Sequence, residues 1–394
     1  MSEPHQVPHL VDRLQDHTST IFTEMSALAL QHGAVNLGQG APDFSGPTEV
    51  LEAAVTAIRD GANQYAPGHG VRPLRQAIAD HQLRRYGLTW DPDTEVTVTA
   101  GATEAIWSAI TGLCEAGDEV IAFAPWYDSY AAVAAMSGAR LVEVALRAPD
   151  RRVEADALRA AVTPRTRLLV VNSPHNPTGR VLDAAERQSI ADIAVEHDLI
   201  VLTDEVYEHL TFDAATHVPL ASLPGMRERT ISVSSAGKTF SVTGWKVGWA
   251  CAPAALTAVV RTPKQWSTFC NATPFQFAVA AGLALPDDWF DDYRADYALR
   301  RDRLCGGLET AGFDVVWPQG TYFALFDARQ LGADDGLALC RQLPREGGVA
   351  AIPVRVFHHD AARDLPWLRL AFCKELSAID EGVARLAAWR DTHA

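Results

Sequence analysis

The sequence predicts an α/β fold: a large domain built on a mostly parallel sheet between helices, joined to a smaller α+β domain. Three observations carry that prediction. Short apolar, β-branched runs alternate with helix-period segments through the middle of the chain. Most of those runs end in a turn of small or polar residues. After Pro286 the texture changes to a long charged stretch followed by scattered short strands.

Taken in order, residues 1–45 read as an N-terminal arm and part of the small domain. Their irregular Gly38-Gln39-Gly40-Ala41-Pro42 stretch has no strand signal of its own. Residues 46–286 read as the large domain. Glu95 to Thr99 is a strand, Thr103 to Leu113 a helix and Glu119 to Phe123 a strand, and further strands are expected at Arg167 to Val171, Leu199 to Thr203 and Thr230 to Val233. Ala184 to His197 has helical period. In the small domain, residues 287–394, a helix from Asp287 to Thr310 leads to strands around Tyr322 to Phe326, Val349 to Ile352 and Leu368 to Phe372. In an open parallel sheet, ligands sit beyond the carboxyl ends of the strands, so the turns after those runs are where chemistry is expected.

Composition narrows the function. A net charge of −15 over 394 residues offers no positive field for nucleic acid or an anionic membrane surface. No run approaches the roughly 18 apolar residues of a spanning helix, and Met1 to Leu14 lacks the apolar core of a signal peptide, so a cytoplasmic location is expected. The six cysteines contain no C-x-x-C pair and suggest neither a disulfide framework nor a metal site.

Four strand-end turns carry chemistry. The chain has four lysines, Lys238, Lys246, Lys264 and Lys374, among its 34 basic residues, and arginine cannot give up its proton to act as an amine nucleophile. Lys238 follows a strand directly, in Ser234-Ser235-Ala236-Gly237-Lys238-Thr239, with Lys246 as a nearby cation able to lower its pKa. A solvated surface lysine is the plainer alternative. Asp204 ends the apolar run Leu199 to Thr203, where a carboxylate can keep a pyridine nitrogen protonated; capping the next helix is its alternative role. Asn176, held out of helix by Pro177, can donate to a phenolate oxygen, or simply belong to a Pro/Gly loop. The small-residue turn Ala100 to Glu104 opens a helix whose free N–H groups suit a phosphate.

The stretches AVNLGQGAPDF (34–44), NQYAPGHG (63–70), NSPHNPTG (172–179), TDEVYEHL (203–210), SSAGKTFSVTGWKVGW (234–249), PQGTYFALFD (318–327) and LRLAFCK (368–374) together resemble fold-type I, class I/II aminotransferases. The similarity is to the group of kynurenine aminotransferase, glutamine transaminase K and actinobacterial N-succinyldiaminopimelate aminotransferases. It implies an enzyme of amino-acid metabolism that moves an amino group from an L-amino acid to a 2-oxo acid with pyridoxal 5′-phosphate, in ping-pong fashion through pyridoxamine phosphate. It also implies a homodimer with active sites at the subunit interface, binding neither nucleic acid nor membrane. By position, Lys238 matches the Schiff-base lysine, Asp204 the partner of the ring nitrogen, and Tyr207 and Asn176 the donors to the ring oxygen. Ser235, Lys246, the backbone at Ala102 and Thr103, and Tyr65 from the second subunit match the phosphate site. Tyr127, or its neighbour Trp126, matches the aromatic stacked on the ring. Arg369, Gly38 and Asn176 match substrate-binding positions, the first two at the substrate carboxylate, and Phe22 matches the side-chain pocket.

Two departures stand out: Thr103 followed by Glu104 where relatives carry an aromatic, and no histidine near Phe269-Cys270-Asn271. Both leave kynurenine in doubt as a substrate. A β-lyase acting on cysteine conjugates with the same residues, and a cofactor-binding sensor without catalysis, are the alternative functions.

Overall fold

The computed structural model describes residues 9–360 and 362–393; residues 1–8 of the expected arm and residues 361 and 394 of the expected small domain lie outside them. The N-terminal segment contributes a helix, Ile21–His32, and a two-residue strand, β1 (Val35–Asn36). The irregular Gly38 to Pro42 stretch forms no strand, as expected; β1 lies just before it and is not anticipated in the sequence. Its partner is distant in sequence, and two residues carry no alternation to detect.

A seven-stranded sheet follows, made of β2 (Val96–Thr99), β3 (Glu119–Ala124), β4 (Arg140–Ala145), β5 (Thr166–Asn172), β6 (Ile200–Asp204), β7 (Thr230–Ser235) and β8 (Gly248–Cys251). Their order across the sheet is β2-β8-β7-β6-β5-β3-β4. All neighbours are parallel except β8, which runs antiparallel to β2 and β7. The central strands read as apolar runs because both faces are covered: Leu168, Leu169, Val201, Leu202, Ile231 and Val233 are wholly buried. Burying each such side chain contributes about 1.5–3 kcal/mol, so a charge at Leu202 would unseat the sheet's centre.

Two strands of this sheet carry no plain signal in the sequence. The edge strand β4 is half-exposed and interrupted by Arg140 and Glu143, while β8 lies in a glycine- and tryptophan-rich stretch.

The helix Gly101–Leu113 leaves the end of β2 and buries Ala105, Ile106, Ala109 and Ile110 against the sheet. Helix Ala184–Glu196 starts at Asp183, which accepts from the Glu186 N–H while the Glu186 carboxylate accepts from the Asp183 N–H, fixing where that helix begins.

Beyond the helix Asp287–Thr310 lie β9 (Val315–Val316), β10 (Phe323–Asp327), β11 (Val349–Ala350), β12 (Ile352–Pro353) and β13 (Trp367–Ala371). Strands β12-β13-β10-β9 form an antiparallel sheet, and β11 pairs with β1 in parallel. One apolar core joins Met25 and Leu37 of the N-terminal segment to Leu304, Leu308, Phe323 and Leu370, and takes in Val206 and Tyr207 from just beyond β6. The end of the parallel sheet is thereby seated against the second sheet.

Candidate active site

At that junction a cavity of about 230 Å³ lies over the carboxyl ends of β5, β6 and β7. Phe22, Ala102, Thr103, Tyr127, Asn176, Asp204, Tyr207, Ser235, Lys238, Lys246 and Arg369 all line it, so most residues singled out in the sequence come together. Parallel register explains part of this convergence: Asn172 pairs with Asp204 and Asp204 with Val233, which aligns three strand ends.

Asp204 is 5% exposed. Tyr130 Oη donates to its Oδ2 at 2.6 Å, and its Oδ1 receives only the Val206 N–H at 3.4 Å. No helix follows β6, so the helix-cap role does not apply. Burial raises the carboxyl pKa to about 6 against the opposing pull of Tyr130 and Lys238.

Lys238 sits on the short helix Ala236–Thr239 directly after β7, with its amine 5.6 Å from the Tyr322 ring centroid. Removal from water lowers its pKa to about 8, with Lys246 and Arg369 adding to the effect and Asp204 opposing it. The surface-lysine alternative fails on this geometry.

A cradle for an anion closes one end of the cavity. Gly101, with φ +72°, begins the helix Gly101–Leu113, and a Cβ there would come 3.1 Å from Lys246 Nζ. A Cβ on Gly248 would strike Gly101 C at 2.5 Å and Ala102 N at 2.6 Å, so only glycine lets β8 approach the turn. Lys246 itself adopts φ +53°, a backbone state that ordinary residues rarely hold, and Ser235 stands beside it in the cavity wall. First-turn N–H groups, an ammonium and a hydroxyl in this arrangement suit an anion such as a phosphate.

At the other end, Arg369 of β13 is 1% exposed. Its Nη1 donates to Asn176 Oδ1 at 2.8 Å and its Nη2 to the Gly38 carbonyl at 2.9 Å, while Nε is buried without a partner. Phe323 and Phe22 flank the guanidinium at 3.9 and 5.1 Å. A buried guanidinium with an unmatched N–H is a fixed receptor for a carboxylate. The Gly38 N–H is taken by Asn36 Oδ1 at 3.1 Å, so the Gly38 backbone holds the arginine.

Of the two adjacent aromatics, Tyr127 lines the cavity, whereas Trp126 is buried against His359 with ring centroids 4.7 Å apart. Tyr65 lies outside the cavity of its own chain, 84% exposed and edge-on to Phe269. Sequence reasoning missed Asn172, whose Oδ1 accepts the Asn176 N–H at 2.7 Å and whose Nδ2 donates to the Asp204 carbonyl at 2.8 Å. It also missed Tyr130 and Phe323. Asn172 opens the NSPHNPTG motif and could have been found there; Tyr130, in an alanine-rich helix, had no signal.

The donor set fits pyridoxal phosphate: an anion cradle, a half-buried amine of lowered pKa, a carboxylate with one free oxygen and an amide, all facing one cavity.

Comparisons with known proteins agree. The family model for aminotransferases of class I and II matches residues 32–386. The chain is 52% identical to the N-succinyldiaminopimelate aminotransferase of Mycobacterium tuberculosis, whose structure it matches with TM-score 0.95 over 97% of this chain and 100% of that one. It is 43% identical to the methionine aminotransferase of Escherichia coli over 93% of this chain and 95% of that protein. A kynurenine–oxoglutarate transaminase of Dictyostelium discoideum is 36% identical over 90% and 91% of the two chains.

Proposed function

The chain belongs to the aminotransferases of class I and II, a pyridoxal-phosphate-dependent, fold-type I family, and from that premise we propose which residues run its transamination and on what substrate. The observation that carries the proposal is the convergence of Lys238, Asp204, Asn176, Arg369 and the glycine cradle on one cavity.

Bound there, pyridoxal phosphate supplies an aldehyde for the amino group and an electron-withdrawing ring that stabilises negative charge at the substrate's α-carbon. Lys246, Ser235 and the N–H groups of Ala102 and Thr103 hold the phosphate. Asp204 Oδ1 pairs with the ring nitrogen, Asn176 and Tyr207 donate to the ring oxygen, and Tyr127 covers the ring face. Arg369 takes the substrate α-carboxylate, which orients the α-proton. Lys238 Nζ would anchor the cofactor at rest and, when free of it, would carry the α-proton; a positioned base of this kind contributes about 10²- to 10⁴-fold. Its lowered pKa makes the neutral, proton-accepting amine accessible near neutral pH.

Amino acids and 2-oxo acids are the substrates of the family. Phe22, Ile106, Tyr127 and Phe323 give the cavity an apolar wall. A second cavity of about 770 Å³, lined by Asp128, His17 and Arg341, shares Tyr127 with the first. A long side chain with a polar end would use both, and with the 52% identical relative this supports N-succinyldiaminopimelate as the donor. Methionine is the second reading, supported by the apolar wall and the 43% identical relative.

The same proposal makes the enzyme a homodimer, with Tyr65 of each chain completing the other's phosphate site, since its aromatic ring is exposed and outside its own cavity. It also puts the enzyme in the cytoplasm, where its six unpaired cysteines stay reduced.

The test is a single-turnover donor panel following loss of the cofactor's visible band. N-succinyldiaminopimelate should react fastest and methionine next. Release of pyruvate and ammonia from cysteine conjugates faster than either transamination would overturn the reading in favour of the lyase.

A further inference from the structure

Asp204 is held on one side by a group outside the cofactor set. Tyr130 lies on the helix Ser129–Ser137 and is 2% exposed; its ring meets Tyr127 edge-on, with centroids 5.8 Å apart at 85°. Its hydroxyl makes one hydrogen bond among the described residues, to Asp204 Oδ2 at 2.6 Å. That is the length of a hydroxyl donating to an ionised carboxylate. The other oxygen, Oδ1, has only the long contact from Val206 and so remains available.

We propose that Tyr130 is a positioning residue for transamination: its hydroxyl occupies Asp204 Oδ2, keeping the carboxylate ionised and turned so that Oδ1 meets the cofactor's ring nitrogen. This rests on the reading of Asp204 as the ring's partner. The groups around that carboxylate are few. Tyr130 and Tyr127 face it from the segment after β3, Lys238 from the turn after β7, and Glu205 and Tyr207 from its own segment. Of these, Lys238 is the one opposite charge, and in the loaded enzyme its amine is committed to the cofactor. Tyr130 is then the remaining side chain that favours the ionised form of Asp204. Burial and the neighbouring carboxylate push the Tyr130 phenol far above its usual range, so it stays a donor at every working pH.

The geometry also ties two parts of the site together. Tyr127 and Tyr130 are three residues apart, so one segment presents an aromatic to the cofactor's face and a hydroxyl to the carboxylate beneath its nitrogen. Any shift of that segment moves both.

The experiment uses holoenzyme reconstituted with pyridoxal phosphate labelled with ¹⁵N in the ring, comparing wild type, Tyr130→Phe and Tyr130→His. Three quantities are read: the ring nitrogen chemical shift between pH 5 and 9, the cofactor dissociation constant, and the pH profile of the donor half-reaction. In Tyr130→Phe the ring nitrogen signal should move toward its unprotonated value at fixed pH. The acid limb of the half-reaction should rise by about one to two pH units, and the cofactor should bind roughly tenfold more weakly. Tyr130→His, which restores an N–H donor, should recover part of the nitrogen shift. A Tyr130→Phe enzyme with wild-type nitrogen shift and pH profile would overturn the proposal, whatever its thermal stability. So would a Tyr130→His enzyme that folds and matches Tyr130→Phe in every readout. Asp204→Asn separates the premise from the proposal: if that variant leaves the nitrogen signal unmoved, Asp204 is not the ring's partner and both fall together.

Discussion

Two clusters of buried ionisable groups part company at one peptide bond. Asp204 faces the cavity with Lys238 and Arg369, while Glu205 turns the other way to meet His217 Nε2 at 3.5 Å. Around it lie Glu208, which accepts from Ser234, and His81 and His209, whose Nε2 atoms are 3.3 Å apart beneath Phe290. Both clusters titrate abnormally. Lys238 falls to about 8 and Asp204 rises to about 6 in one; burial takes His81 down to about 3 and raises Glu208 in the other. Both contain unpartnered atoms, Arg369 Nε in the first and His209 Nδ1 and Glu208 Oε2 in the second. His81, Glu208 and His209 even offer ligand atoms within 4.8 Å of one another, with the guanidinium of Arg84 3.3 Å from His81 Nδ1, the ring nitrogen turned away from His209. Perturbed pKa values and orphaned atoms therefore do not by themselves mark an active site. What distinguishes the first cluster is a cavity onto which groups of opposite sign and different hydrogen-bonding character converge.

The sharpest way to break this contrast is to remove one residue from each side. Lys238→Ala should lose at least about 10⁴-fold in kcat, together with the visible band of the bound cofactor. His209→Gln should keep kcat within about threefold while lowering Tm by several degrees. Steady-state assays and thermal scans on the two variants decide it. Equal losses of kcat would erase the distinction.

The second cluster should announce itself in acid stability. His81 is neutral when folded, with its pKa lowered to about 3, and ordinary when unfolded. A depressed histidine contributes stability that is present above the unfolded pKa near 6.5 and lost as pH falls toward 3. Between pH 6.5 and 4 the loss from His81 should be about 2–4 kcal/mol. Urea unfolding of His81→Gln should show a correspondingly flatter pH dependence.

Next in size is the carboxylate receptor. Arg369→Gln should raise KM for the amino donor by about 10- to 100-fold, with a smaller change in kcat, because one charge-assisted fork is lost in ground and transition states alike. A kcat collapse with unchanged KM would move Arg369 out of substrate binding and into the chemistry.

Much of the first cluster is legible in the sequence because each member ends a strand or sits in a compact motif. Lys238 and Asp204 end apolar runs, and Asn176 lies in a proline-bounded turn. The long helix Asp287–Thr310 is visible for a related reason: charge and apolar residues recur at a helical period within a single segment. What is not legible depends on distant partners. The strand Val35–Asn36 exists because Val349–Ala350 lies alongside it, and the edge strand Arg140–Ala145 because β3 does. Tyr130 reads as one more aromatic on an alanine-rich helix until folding sets it against Asp204. Nor does the sequence distinguish the two glutamates after Asp204, since all three acids stand within five residues and only the turn beyond β6 assigns them to opposite sides.

The smallest effect tests the same contrast from the side of stability, and its sign is opposite to that of His81. Asp204 has a folded pKa raised to about 6, above its ordinary value near 3.8. An acid raised in this way is best accommodated when protonated, so its favourable contribution is full below the unfolded pKa and is lost as pH rises through about 6. At pH 8 the apo-protein therefore carries a buried carboxylate at a cost, which a cofactor ring nitrogen paired with it, as proposed, would offset. Asp204→Asn should make the apo-protein more stable than wild type by about 1–2 kcal/mol at pH 8, less than the full linkage because Tyr130 then donates to a neutral amide. The gain should shrink toward pH 5, where the wild-type carboxyl has taken up its proton. The same variant should bind pyridoxal phosphate more weakly. A variant that is less stable than wild type at pH 8 in the absence of cofactor would mean that Asp204 is a structural ion like those of the second cluster, and that its place on the cavity wall is incidental.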